Sequence, residues 1–204
     1  AWAESGIPPI NVSVNLSAVQ FKERNLIENI SQIIKDTGIN PKNLTLEITE
    51  STIMETGPEV IQQLSALNGL GLKLAIDDFG TGYSSLAYLK QFPIHYLKID
   101  RAFVQDLPDD KEDCAITRAV IGMARELNLG VVAEGIETPE QMAFLREEGC
   151  NYGQGYFIGR PMPRQEFEQW YQHFLNNKTL SIAVDNDSRN SDKDSGSSPK
   201  AQDG

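Results

Sequence analysis

The sequence predicts an α/β domain, specifically a (β/α)₈ barrel with about six of its eight strand–helix units, and three observations predict it. Short apolar runs alternate with amphipathic helical segments. Each apolar run ends in polar residues. Those polar landmarks, Asn15, Glu47, Asp77, Lys98, Glu134 and Gln154, follow one another at 32, 30, 21, 36 and 20 residues, where a barrel of about 250 residues averages about 31 per unit. Setting aside the last segment of the 204 residues leaves room for six units, so about two are expected to be absent from the front.

The strands are predicted at residues 11–17, 44–49, 72–77, 96–100, 130–134 and 152–158. In Leu44-Thr45-Leu46-Glu47-Ile48-Thr49 one face is Leu/Leu/Ile and the other Thr/Glu/Thr; Leu97 and Ile99 likewise oppose Lys98 and Asp100, and Val12, Val14 and Leu16 oppose Asn11, Ser13 and Asn15. An apolar face under helices and a polar face turned the other way suit a barrel with a polar mouth. Between the strands, Leu26, Ile27, Ile30, Ile33 and Ile34 make a helical stripe that Gly38 stops. Val60, Ile61, Leu64 and Leu67 make a second, ending before Gly71, and Ile116, Ala119, Val120, Met123 and Leu127 a third, ending before Gly130. Thr138-Pro139-Glu140-Gln141 reads as a capping box opening a short helix, and Phe167, Trp170, Tyr171 and Phe174 mark the last helix. These stripes are read as core.

Residues 1–184 are therefore assigned to the barrel and 185–204 to a disordered tail, because the Asp/Ser/Lys/Gly-rich end has too little apolar surface to offset its ordering entropy. The start lacks an initiator Met and a signal pattern and reads as an excerpt beginning inside a helix. With 29 acidic against 18 basic residues, the net charge of -11 disfavours duplex nucleic acid as a partner. No run approaches the roughly 18 apolar residues of a membrane span. Cys114 and Cys150 stand apart with no Cys-x-x-Cys, which excludes a disulfide framework or thiolate zinc site and fits a reducing cytoplasm.

Active sites of such barrels lie at the carboxyl ends of the strands. There Glu47, Asp77, Asp78 and Glu134, with the Asn15 amide oxygen, would converge as hard oxygen ligands suited to Mg²⁺ or Mn²⁺. Four carboxylates in one mouth repel without cations, whereas two ions about 4 Å apart would neutralise them and polarise a phosphoryl group. Lys98 faces the same mouth, either to hold a phosphate or orient an attacking water, or to form an ion pair with Asp100. The glycines of Asp77-Asp78-Phe79-Gly80-Thr81-Gly82-Tyr83-Ser84-Ser85 mark a loop leaving the strand sharply, read as a lid or interface loop.

Six ordered motifs then carry a resemblance: Asn15-Leu16-Ser17, Leu46-Glu47-Ile48-Thr49-Glu50-Ser51, the Asp77-to-Ser85 loop, Leu97-Lys98-Ile99-Asp100-Arg101, Ala133-Glu134-Gly135-Ile136-Glu137 and Gln154-Gly155-Tyr156. From about Pro9 to Tyr171 the chain resembles the EAL-domain cyclic di-GMP phosphodiesterases. The resemblance implies a modified TIM barrel that opens cyclic di-GMP to linear pGpG with two Mg²⁺ or Mn²⁺ ions. It implies that Asn15, Glu47 and Asp77 hold one ion, that Asp77 bridges to a second held by Asp78 and Glu134, and that Lys98 contacts the hydrolytic water. It further implies that Glu50 anchors the loop after Asp78, that Asp100 supports the metal site, that Glu137 and Gln154 line it, and that dimers form near the Gly80-to-Ser85 loop. An upstream sensory or GGDEF domain is expected in the parent chain. The Glu-Ala-Leu signature is absent, and Ala3-Glu4-Ser5 does not stand in for it, so residues 1–204 alone are expected to be inactive. A catalytically silent cyclic di-GMP sensor or docking domain is the alternative, disfavoured by the intact set of acids.

Overall fold

The computed structural model describes residues 9–55, 59–80 and 89–177; the predicted tail, residues 1–8 and loop residues 81–85 lie outside them. Six strands, β1 (Val12–Asn15), β2 (Leu44–Thr49), β3 (Lys73–Phe79), β4 (Tyr96–Ile99), β5 (Gly130–Ala133) and β6 (Tyr152–Gly153), form one sheet in chain order, with every neighbouring pair parallel. The sheet curls into a half-barrel. Parallel neighbours need a crossover, and the crossovers carry α1 (Ala18–Phe21), α2 (Leu26–Thr37), α3 (Glu50–Glu55), α4 (Glu59–Gly69), α5 (Lys111–Glu126) and α6 (Pro139–Glu147); α7 (Arg164–Asn177) follows β6.

The helices start and stop where local chemistry directs. Thr138 and Gln141 form the predicted capping box of α6, the Gln141 N–H donating to Thr138 Oγ1 at 3.2 Å and the Thr138 N–H to Gln141 Oε1 at 3.0 Å. Gly38, at φ 65°, closes α2. Asp110 caps α5 by accepting from the N–H groups of Glu112 and Asp113.

Alternation divides the sheet as predicted. Leu46, Ile48, Leu74, Ile76, Leu97, Ile99, Val131 and Ala133 are buried in the core, together with Val60, Leu64 and Leu67 of α4 and Val120, Ile121 and Ala124 of α5. Each large side chain buried there contributes about 1.5–3 kcal/mol. The opposite face carries Thr45, Glu47, Tyr96 and Lys98, which line a cavity of about 300 Å³ with Tyr152 and Gln154.

Several expectations are corrected. The last strand stops at Gly153 because the chain leaves the ladder to bond the loop after β5. The Ile136 N–H donates to Gln154 O and the Phe157 N–H to Ile136 O, and Gly155 crosses so close that a Cβ there would overlap the Ile136 backbone. Val12 and Val14 are 37% and 46% exposed, since β1 is an edge of the described sheet. Ile33 and Ile116 are also exposed, lying off the stripes that their neighbours bury. The first helical stripe stands as α2, and a four-residue helix that the sequence reading did not include, α1, capped by Ser17 and Gln20, precedes it.

One residue outside the carboxylate mouth makes stability depend on pH. His95 Nδ1 accepts from the Leu74 N–H at 3.2 Å while the His95 N–H donates to Leu74 O at 2.9 Å, tying the entry of β4 to β3. Burial, assisted by the nearby Lys73 ammonium, lowers the His95 pKa from its ordinary 6.5. A lowered folded-state value means the neutral ring is favoured by folding, so its stabilisation is complete above about pH 6.5 and is lost as pH falls through the lowered value. Urea unfolding at pH 7 and pH 5 is expected to show a drop for the wild type that is smaller in His95→Gln; equal drops would remove His95 as the cause.

Candidate metal and phosphodiester site

The candidate site is assembled at the carboxyl ends of the strands by ladder register. Asn15 pairs with Glu47 across β1 and β2, and Thr49 with Asp77 across β2 and β3. Glu134 directly follows β5, where its N–H donates to Ile99 O and extends the ladder by one step. Lys98 on β4 lies between, 3% exposed. Its Nζ stands 2.5 Å from Glu47 Oε2, 2.8 Å from Asp77 Oδ1 and 2.7 Å from Glu134 Oε1. The expected alternative of a Lys98–Asp100 ion pair is therefore replaced by a three-carboxylate cage.

Two successive strand residues normally face opposite sides, yet Asp77 and Asp78 both serve the mouth. The register between β3 and β4 shifts between Ile76 and Phe79, and Asp78 adopts a left-handed conformation with φ 54°. This bulge turns the second carboxylate toward the first, and aspartate is among the few residues that enter this conformation readily. Asp77, Asp78 and Glu134 then each present an oxygen, all within 4.8 Å of one another.

The donor set fits hard divalent cations. The Asn15 amide end lies 3.3 Å from both Asp77 Oδ2 and Glu47 Oε2. Its NH₂ group donates to these oxygens; turned by half, the amide would present its oxygen to a cation held with them. Carboxylates and an amide oxygen are ligands for Mg²⁺ or Mn²⁺.

Burial and mutual charge act together on the acids and the lysine of the cluster. Burial raises the Glu134 pKa, the hydrogen bond and charge of Lys98 oppose this, and Asp77 and Glu47 raise it further. Asp78 is raised by burial, by the Asp77 charge and by its hydrogen bond with Asp100. Burial would lower the Lys98 pKa, but hydrogen bonds to Asp77, Glu134 and Glu47 outweigh it and hold the ammonium above the usual lysine range.

The remaining residues divide. Glu50, 2% exposed at the start of α3, accepts the Gly80 N–H through Oε2 at 3.0 Å, just past the end of β3. Asp100 accepts the Ala102 N–H at 2.7 Å and also bonds Asp78. Gln154 lines the concave cavity. Glu137 is half-exposed and paired with Arg101 at 3.0 Å. Arg101 was legible only as a basic residue following the strand-end acid Asp100.

A parallel half-barrel with hard oxygen donors gathered at its strand ends defines a (β/α)-barrel protein with a candidate cation site. The family is then specific: the EAL domain model matches residues 1–161, and the chain belongs to that family. It is 44% identical over 165 residues to the bifunctional diguanylate cyclase/cyclic di-GMP phosphodiesterase MucR of Pseudomonas aeruginosa, covering 81% of this chain and 24% of MucR. The cyclic di-GMP phosphodiesterase NbdA of the same organism is 42% identical over 170 residues, 83% of this chain and 22% of NbdA. The chain thus spans about a quarter of the length of these relatives. Among solved structures, the MucR phosphodiesterase in complex with c-di-GMP superimposes with a TM-score of 0.78 at 44% identity, covering 81% of this chain and 67% of that one. A manganese and cyclic di-GMP complex of Klebsiella pneumoniae BlrP1 gives 0.71 at 29% identity, covering 78% and 41%.

Proposed function

We propose that this chain contributes the greater part of a catalytic centre that hydrolyses cyclic di-GMP to linear pGpG with two divalent cations, Mg²⁺ or Mn²⁺. The observation that carries the reading is the convergence of Asn15, Glu47, Asp77, Asp78 and Glu134 around Lys98 in a chain closely similar to phosphodiesterases of known substrate. Asn15, Glu47 and Asp77 would hold one cation, with Asp77 bridging to a second held by Asp78 and Glu134. When bound, the cations supply charge neutralisation of the phosphoryl oxygens and a water of lowered pKa. Lys98, an ammonium fixed by its three carboxylates, donates a hydrogen bond that orients the attacking water. Glu50 and Asp100 keep the Asp78 loop in register, and Gln154 meets the nucleotide on the concave face. Glu137 serves this centre from its rim.

The barrel portion comprises residues 1–184 in this reading and residues 185–204 form a tail. Similarity to a small share of a bifunctional cyclase/phosphodiesterase supports a parent chain with a GGDEF or sensory domain, and pairing of two copies near the loop after β3 is part of the same proposal. Among the described residues no helix is long and apolar enough to cross a membrane. Cys114 and Cys150 are free thiols, which suits a reducing compartment.

The test is chromatographic detection of pGpG from cyclic di-GMP with Mg²⁺ or Mn²⁺, with and without chelator, on the parent polypeptide and on residues 1–204. Cation-dependent conversion by the parent is expected, with little by the shorter chain, whose β1 exposes Val12 and Val14. Tight nucleotide binding without turnover, in protein with cations bound, would replace the enzyme with a silent sensor.

A further inference from the structure

Directly after Asp100 the chain makes one turn of 3₁₀ helix, Arg101–Phe103, and this turn touches both loops that carry the acids of the mouth. On the β3 side, the Phe103 ring lies against the bare Cα of Gly80, where an added Cβ would come within 3.0 Å of it. On the β5 side, the Arg101 stem lies against Gly135. A Cβ at Gly135 would overlap Arg101 Cγ and approach its Cβ to 2.8 Å, and Gly135 has φ 71°. The guanidinium then continues to Glu137, Nη2 to Oε1 at 3.0 Å. Arg101 thus spans residues 135–137, immediately beyond Glu134.

Glu134 itself is fixed on its other side by the bond from its N–H to Ile99 O. Two restraints from the β4 segment therefore bracket it, the ladder before it and the Arg101 side chain after it. On the other side Phe103, at the far end of the turn, packs on Gly80, two residues after Asp78. The same short turn sets the two acids relative to each other from opposite sides.

We propose that Arg101 is a positioning residue that holds the Glu134 loop at the distance from Asp77 and Asp78 required to share divalent cations. The inference rests on the metal reading given above and adds a residue to it. Packing of the stem against Gly135 carries the effect, because Arg101 and Glu137 are 59% and 41% exposed and ion pairs so exposed contribute little. The Arg101 side chain meets Gly135 and Glu137. Its loss acts through the placement of Glu134, and groups that orient metal ligands typically change metal affinity by about 10–100-fold.

The experiment measures Mn²⁺ binding by electron paramagnetic resonance of the free ion, on purified wild type, Arg101→Ala, and Arg101→Met, which keeps the stem without the charge. Circular dichroism and thermal melting accompany each. Arg101→Ala is expected to bind Mn²⁺ about tenfold more weakly while remaining folded, and Arg101→Met to recover most of the affinity. With cyclic di-GMP, kcat of Arg101→Ala should fall by a similar factor with KM changed less than about twofold, as for loss of a contribution made in the transition state. A role confined to stability would lower the melting temperature of Arg101→Ala and leave Mn²⁺ affinity of the folded protein intact, which would overturn the inference. Equal weakening in Arg101→Met and Arg101→Ala would overturn the stem's part in it. A wild type that takes up no Mn²⁺ would instead overturn the metal reading, and this inference with it.

Discussion

Lys98→Met is expected to destabilise the metal-free protein by about 3–5 kcal/mol, the usual cost of removing one partner from a buried charge cluster. The side chain is 3% exposed and its Nζ faces Glu47, Asp77 and Glu134 at once. Methionine fills the space of the stem, so the cost comes from three carboxylates left without a counter-charge. Glu134, whose pKa burial already raises, would respond by taking up a proton, so the loss should shrink as pH is lowered. Mn²⁺ should restore much of the stability because it supplies positive charge at the same place. In the active polypeptide, kcat should fall by about 10²-fold or more while cyclic di-GMP affinity changes far less, as for a group acting on the attacking water. Denaturant unfolding with and without Mn²⁺, beside kcat and nucleotide affinity, checks each part. Unchanged metal-free stability would refute the cage; a collapse of affinity with kcat retained would make Lys98 a binding residue.

Asp77→Asn and Asp78→Asn should each lower turnover by about 10²–10³-fold, since cation-held charge stabilisation amounts to several kcal/mol and each 1.36 kcal/mol is tenfold in rate. The fold should survive. Asn keeps the shape of Asp77 on β3, and Asn tolerates the left-handed backbone at position 78. Bound Mn²⁺ should drop from two ions per chain toward one in Asp78→Asn and fall more generally in Asp77→Asn, whose carboxylate is assigned to both. Near-normal pGpG release from either folded variant would sink the two-cation assignment.

Much of this was legible in the sequence because period-two alternation and strand–helix succession are local signals. Glu47 and Lys98 are placed on the polar face by their apolar neighbours alone, and the buried stripe of α4 follows from helical spacing, whereas in α5 the buried face turns away from Ile116 and Ala119 toward Ile121 and Ala124. The bulge at Asp78 was not legible, because a left-handed residue inside a strand depends on how β3 pairs with β4. Nor was the early end of β6, which follows from competition by the Ile136 backbone for the bonds of Gln154 and Phe157. Lys98 was read beside Asp100 because they are near in sequence; the actual partners come from β2, β3 and the end of β5, and only the curl of the sheet brings them near.

That curl has a thermodynamic meaning. Neighbouring strands are about 4.8 Å apart, so in a flat sheet β2 and β5 would stand about 14 Å from each other, three spacings away. Glu47 and Glu134 nevertheless meet on one nitrogen, which leaves their oxygens no more than about 5 Å apart. Curvature and ligand spacing are thus one coordinate. A cation that prefers the close arrangement binds the more curved members of the ensemble and must stiffen the sheet around them. By reciprocity, a substitution far down the concave face that opens the arc, such as one crowding Tyr96 from Gly130, would be felt at the mouth as weaker cation binding.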